Sequence, residues 1–227
     1  KVFQEGKDIH ATTSANIRGV TYEEFVKLKE TDPTIYKQGR SDAKPANFGM
    51  VYRISPKGYI AFAKNQYGVT LTAKDEQVHR DAIFKKYKGL LGWHKHYEAI
   101  ARTLGYVRTE FGRKKHLPDA MCENDWKREQ AITLAINNPI QGTSMDICII
   151  ATYKTIQVMP RSVRLWNTIH DSILGYRPIH IPEEYISKLI DDDFLKLPLE
   201  LFDLTDEEML IKIGTDYEEG NSWGSLK

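Results

Sequence analysis

Apolar positions along most of this chain recur every three or four residues, the period of helices with one buried face. Asp8 can cap a short helix that opens at Ile9. Thr21-x-x-Glu24 forms a capping box, and Phe25 and Leu28 follow it on one face. Asp32-Pro33 reads as a cap followed by proline at the first helical position. Gly39 then interrupts, and a separate helix carries Arg40 to Tyr52. Ser55-Pro56 opens the next, which stops near Gly68. Thr72-x-x-Asp75 opens another, with Val78, Ala82 and Tyr87 near one side, ending at Gly89. A further helix spans Leu90 to Leu104 and stops at Gly105. The pattern then shortens: Tyr106 to Leu117 reads as a hairpin turning at Phe111-Gly112. Two helices are expected around Pro139, from Asp125 to Ile136 and from Thr143 to Val158. Arg164 to Tyr176 reads as two strands with His170-Asp171 at their turn. Glu183 to Phe194 predicts a helix and Met209 to Ile213 a last strand. The fold class is therefore α+β, mostly helical with a small antiparallel sheet.

One helix stands apart. Arg40, Lys44, Phe48 and Tyr52 recur every fourth residue, which makes a slowly drifting stripe on one face. Two cations at one end and two rings at the other suit a nucleoside triphosphate, and suit an ordinary amphipathic helix as well. Pro45 conflicts with a continuous helix, because an interior proline removes a hydrogen bond at a cost of ~3 kcal/mol. With Asp42 as the cap, Pro45 falls in the first turn and Arg40 sits just ahead of the helix. A late start or a kink is the expectation.

Composition narrows the classes. The 227 residues carry a net charge of +1, so any nucleic-acid surface must come from local clustering of charge. Arg113-Lys114-Lys115-His116, beside Tyr106 and Phe111, is such a cluster. Cys122 and Cys148 have no metal spacing and point to reduced, intracellular thiols. No apolar run reaches membrane length and no signal peptide is visible, which argues against secretion and membrane insertion.

The segment R-x-x-x-K-x-x-N-F-G-x-x-Y from Arg40 resembles the fingers-helix motif of family A DNA polymerases, the polymerase I type. G-Y-V-R-T-E-F-G-R-K-K-H-L-P-D from Gly105, N-N-P-I-Q-G-T-S-M-D from Asn137 and I-H-D-S from Ile169 resemble further segments of that family, in its order. V-F-Q-E-G-K-D-I-H from Val2 does so too. The resemblance implies a fingers subdomain over residues 1–104 and a C-terminal palm portion over residues 105–227.

By that resemblance His10, Arg40 and Lys44 face the triphosphate, Phe48 packs beside the sugar and Tyr52 holds the template-base position. Arg113, Lys114 and Lys115 contact the DNA backbone. Asn137 and Gln141 probe the minor groove, and His170 lies near the primer end. Asp171 binds the catalytic magnesium pair, whose other carboxylate the family carries in a segment shortly before the V-F-Q-E-G stretch. The implied partners are primer-template DNA, deoxynucleoside triphosphates and a second segment or polypeptide with the N-terminal palm and thumb. The chain opens at Lys1 inside the resemblance, so it is expected to be the C-terminal part of something larger and inactive alone. Ser172 stands where the DNA polymerases usually have glutamate. His-Asp-Ser is the form of the single-subunit RNA polymerases, which makes a fragment of one of those the nearest rival, and a non-catalytic DNA-binding relic the other. Arg53 stands where the family usually has glycine, which bears on the bend that lets the helix swing.

Overall fold

A computed structural model describes residue 2 and residues 4–169, 172–202 and 216–225. It divides into two compact units, residues 1–140 and residues 141–227.

The first unit opens with α1 (Ile9–Arg18), α2 (Tyr22–Thr31), α3 (Pro33–Val51), α4 (Pro56–Tyr67), α5 (Ala73–Lys86) and α6 (Leu90–Leu104). Their starts follow local chemistry. Asp8, Thr21, Asp32, Ser55 and Thr72 each accept a backbone amide as caps, with reciprocal capping boxes at Thr21–Glu24 and Thr72–Asp75. Gly19, Gly68 and Gly105 end helices in the left-handed conformation that glycine adopts without strain.

Gly39 does not interrupt: α3 runs unbroken from Pro33 to Val51, with Arg40 inside it and Pro45 within the helix. Asp42 does not cap it either; its carboxylate accepts from Gln38 Nε2 at 2.7 Å, one turn back on the same helix. The reason is tertiary. Ala43, Ala46 and Met50 are fully buried under the helix, and the gain outweighs the proline's lost hydrogen bond. At Gly39 a Cβ would stand 2.8 Å from Ser14 Oγ and 3.0 Å from a Phe25 ring carbon. That glycine is a packing site, where α1 and α2 approach the backbone of α3.

Two clusters hold this bundle together. Ala11, Ala15 and Phe25 join α1 to α2, with Tyr36 packed against them from α3. Ala46, Met50, Tyr59 and Ile83 join α3, α4 and α5. A third cluster, Ala101, Val107, Leu117, Ala120, Ala131 and Ala135, seats the hairpin β1 (Tyr106–Arg108) and β2 (Lys114–His116) on α6. It also holds a short 3-10 turn, Pro118–Met121, and the first turns of α7 (Asp125–Val158).

α7 is one helix, where two were expected; Pro139 lies inside it. Ala131, Ile132, Ala135 and Ile136 before the proline, and Ile147, Cys148 and Ala151 beyond it, are all buried. Apolar burial on both sides keeps the helix continuous across a residue that local propensity alone would use as a stop.

The second unit takes the rest of α7, the antiparallel pair β3 (Arg164–Ile169) and β4 (Ser172–Tyr176), and α8 (Glu183–Phe202). The last helix is longer than its pattern predicted. Val163, Ile181 and Ile186 form a small core, with Met159, Ile190 and Tyr217 against it. Trp166 sits at an irregularity between the pairs Leu165–Gly175 and Asn167–Leu174, and its ring stacks on Tyr176 at 6.1 Å. The expected strand from Met209 to Ile213 lies outside the described residues.

Candidate functional site

Arg40, Lys44 and Phe48 lie along α3 on the side away from the buried Ala43, Ala46 and Met50, and Tyr52 is the helix's C-cap. Phe48 is 49% exposed, which is unusual for a large apolar ring in the middle of a helix. The fold brings His10, at the start of α1, to this stripe. The His10 and Phe48 rings stand 5.7 Å apart at a 48° tilt.

Asp8 links the same two helices. Its Oδ1 accepts the amides of His10 and Ala11 at 2.8 and 2.9 Å, and its Oδ2 accepts from Arg40 Nε at 2.7 Å. Burial pushes the Asp8 carboxyl up, but the Ala11 amide and the Arg40 guanidinium outweigh it and hold the group below the usual carboxylate range. Bound through Nε, Arg40 keeps its two terminal nitrogens without a hydrogen bond among the described residues. A guanidinium oriented in this way presents a planar fork to phosphate oxygens. Burial holds the His10 imidazole below its ordinary value; Asp8 pulls the other way, and the charges of Arg40 and Lys44 add to the lowering. Four of the five residues predicted for the incoming nucleotide thus meet around His10, which feels the charges of Arg40 and Lys44 and has its ring beside that of Phe48. Tyr52 lies one turn beyond Phe48 on the same helix.

A polar cavity of about 400 Å³ opens on another side of α3, lined by Gln38, Asp42, Asp75 and His79 among others. None of the stripe residues lines it. An extended triphosphate needs a cationic face more than an enclosed hole, so the stripe is the better candidate.

The hairpin divides the basic cluster. Tyr106 pairs with His116, Val107 with Lys115 and Arg108 with Lys114. Side chains alternate across a strand, so Tyr106, Arg108, Lys114 and His116 share one face, and Lys115 lies on the face of buried Val107. Lys114 Nζ stands 4.5 Å and the Arg108 guanidinium carbon 5.4 Å from the Tyr106 ring centroid. Arg113 precedes the strand, and its amide donates to Thr109 Oγ1 at 3.2 Å. Arg108 and Tyr106 were absent from the predicted contact set, although the two-residue alternation of Y-V-R could have found them.

Asn137 and Gln141 both lie in α7, Asn137 in the first unit and Gln141 at the start of the second. Asn137 Oδ1 is buried with no hydrogen-bond partner among the described residues. His170 and Asp171 lie outside the described residues, between strands that place Ile169 opposite Ser172. Among the described residues no three His, Cys, Asp or Glu side chains group to hold a metal ion. Nor is any helix among them long and apolar enough to cross a membrane.

The sequence profile of DNA polymerase family A matches residues 1–225. The chain belongs to that family. DNA polymerase I of Streptococcus pneumoniae (strain ATCC BAA-255 / R6) is 30% identical over 233 residues, which cover 100% of this chain and 23% of that protein. DNA polymerase I of Aquifex aeolicus is 33% identical over 177 residues, covering 76% of this chain and 27% of the relative. This family A chain thus spans about a quarter of the length of the relatives it matches. Among solved structures, the POL domain of Pol1 from M. smegmatis, in complex with DNA primer-template and dNTP, superposes with a TM-score of 0.68 at 22% identity. That likeness covers 86% of this chain and 32% of the other, and it shows that the fold is shared.

Family membership gives context to Arg53. Its φ is +61°, the one non-glycine residue at positive φ among those described. Its amide donates to Met50 O at 3.3 Å and the Ile54 amide to Gly49 O at 3.1 Å, the paired bonds that close a helix on a left-handed residue. The backbone therefore keeps the glycine conformation with an arginine in it. The side chain pairs with Glu98 at 3.4 Å and Glu129 at 2.6 Å, and His94 Nε2 donates to Val51 O at 2.8 Å.

Proposed function

We propose that this chain is the fingers and C-terminal palm portion of a DNA polymerase that adds deoxynucleotides to a primer 3′ end. The observation that supports this most is the meeting of His10, Arg40, Lys44 and Phe48 across two helices that are far apart in sequence. In this reading Arg40 grips phosphate oxygens with its free fork and Lys44 acts as a point charge beside it. His10 adds an N–H donor. Phe48 offers its exposed ring to the sugar, and Tyr52 stands at the template-base position.

The outer face of the β1–β2 hairpin, with Lys114 and the neighbouring Arg113, holds the DNA backbone, a contact indifferent to sequence; Lys115, expected beside them, lies on the opposite face. Asn137 and Gln141 read the minor groove, where every base pair presents similar acceptors and an amide N–H can test pairing shape. His170 and Asp171 stand at the primer end. Asp171 would hold magnesium together with the carboxylate that the family carries shortly before the V-F-Q-E-G stretch, and the ion would stabilise charge on the transferring phosphoryl group.

Steady-state primer extension by the assembled polymerase tests the assignment. Lys44→Ala removes one charge-assisted phosphate contact, which is expected to raise KM for the deoxynucleotide roughly ten- to a hundredfold. Primer-template affinity should stay nearly unchanged. Asp171→Ala should abolish extension while leaving nucleotide and DNA binding in place. An unaltered KM in the first variant, or retained turnover in the second, would show that these residues do other work.

A further inference from the structure

Among the described residues, the imidazole of His10 has a hydrogen-bond neighbour on only one of its two nitrogens. Thr13, fully buried in α1, donates its hydroxyl to Asn47 Oδ1 at 2.7 Å. The Asn47 amide is 8% exposed. With its oxygen occupied, its nitrogen points the other way, 2.9 Å from His10 Nδ1. An amide nitrogen only donates, so Nδ1 must accept and carries no proton. In a neutral imidazole the proton then sits on Nε2, which makes no hydrogen bond among the described residues.

We propose that Thr13 and Asn47 are positioning residues that lock His10 as a neutral, Nε2-protonated imidazole. The nucleotide face then presents a directed N–H donor near the charges of Arg40 and Lys44 without adding a third positive charge. The inference deepens the triphosphate reading and rests on it for its purpose, but the tautomer itself stands on the side-chain geometry alone.

The groups around the ring are consistent with this. Asp8, on the loop before α1, favours a protonated ring; Arg40 and Lys44, on α3, and burial oppose one. The Phe48 ring, with its centroid 5.7 Å away, is uncharged and favours neither form. A proton on Nδ1 would set two donors face to face. Asn47 could relieve that only by turning its amide; its nitrogen would then donate to the Thr13 hydroxyl, whose own proton would have to turn to the nearby Tyr87 hydroxyl. The three side chains form one relay, Thr13 to Asn47 to His10, in which the Thr13 proton is directed at Asn47 Oδ1.

The test is nitrogen NMR of the chain labelled with 15N-histidine, the His10 signals being assigned by their loss in His10→Gln. At pH 7.5 the expected result is a protonated Nε2 and a bare Nδ1. Thr13→Val keeps the side-chain shape and frees the amide to turn, so it should yield a mixture of tautomers; Thr13→Ser should restore the single form. A proton on Nδ1 in the unaltered chain overturns the inference, and so does a Thr13→Val spectrum identical to it. Addition of dATP to the same sample addresses the other reading separately: the Nε2 signal should move while Nδ1 stays bare. If dATP moves neither signal, the triphosphate role of His10 fails while the tautomer assignment stands.

Discussion

Asp8 divides its two carboxylate oxygens between unrelated tasks. Oδ1 caps α1 and Oδ2 holds Arg40 on α3. Asparagine caps a helix about as well as aspartate, whereas alanine cannot. Asp8→Ala is therefore expected to lower unfolding free energy by about 1–2 kcal/mol, from a lost cap and a half-exposed ion pair. Asp8→Asn should lose less than half of that, the ion pair alone. Urea unfolding of the two variants measures the split; equal losses would show that the cap contributes little. The cap was legible in D-I-H because capping is decided within three residues. The ion pair was not, since Arg40 lies 32 positions away and nothing local specifies which carboxylate it meets.

Among the elements, α3 shows where local propensity loses. Gly39 and Pro45 both argue for a break, and burial of Ala43, Ala46 and Met50 overrides them. Its C-terminus shows the reverse, a local cost retained against outside contacts. Arg53 at positive φ costs about 1–2 kcal/mol relative to glycine. Its ion pairs with Glu98 and Glu129 return roughly 0.2–1 kcal/mol each. Arg53→Gly should therefore be close to neutral in the unaltered chain. In a Glu98→Gln, Glu129→Gln background the same change should stabilise by about 1 kcal/mol, since only the strain remains to be relieved. Denaturant midpoints across the cycle check this, and destabilisation in the second background would mean that Arg53 carries no strain. A residue's φ cannot be read from its own identity, so this feature was visible in sequence only as a departure from a family pattern.

At the scale of the molecule, two buried histidines, His79 and His94, and the half-buried His10 set the response to acid. His10, His79 and His94 are each held below the ordinary histidine value, first of all by burial. Protons therefore bind more readily to the unfolded chain, and stability must fall as pH drops below about 6.5. The carboxylates held low, Asp8, Glu24 and Asp75, lose their contributions only at more acid pH, below the ordinary carboxylate range. Urea midpoints should thus be flat from pH 8 to 7 and decline between pH 6.5 and 5. His79→Gln should flatten part of that decline, because the buried pair with Tyr59 is then no longer titratable. A midpoint that does not change between pH 7.5 and 5 would show that these rings titrate alike in both states.

By itself the sequence determined where the capped helices begin at Asp8, Thr21, Asp32, Ser55 and Thr72, which residues turn the first hairpin and which family the chain joins. These rest on contacts a few residues long, or on short motifs whose order survives without coordinates. Only the tertiary structure decided that α3 and α7 continue through their prolines and that His10 meets Phe48 and Asn47. Each of those depends on what is buried against what, and burial belongs to no single stretch of chain.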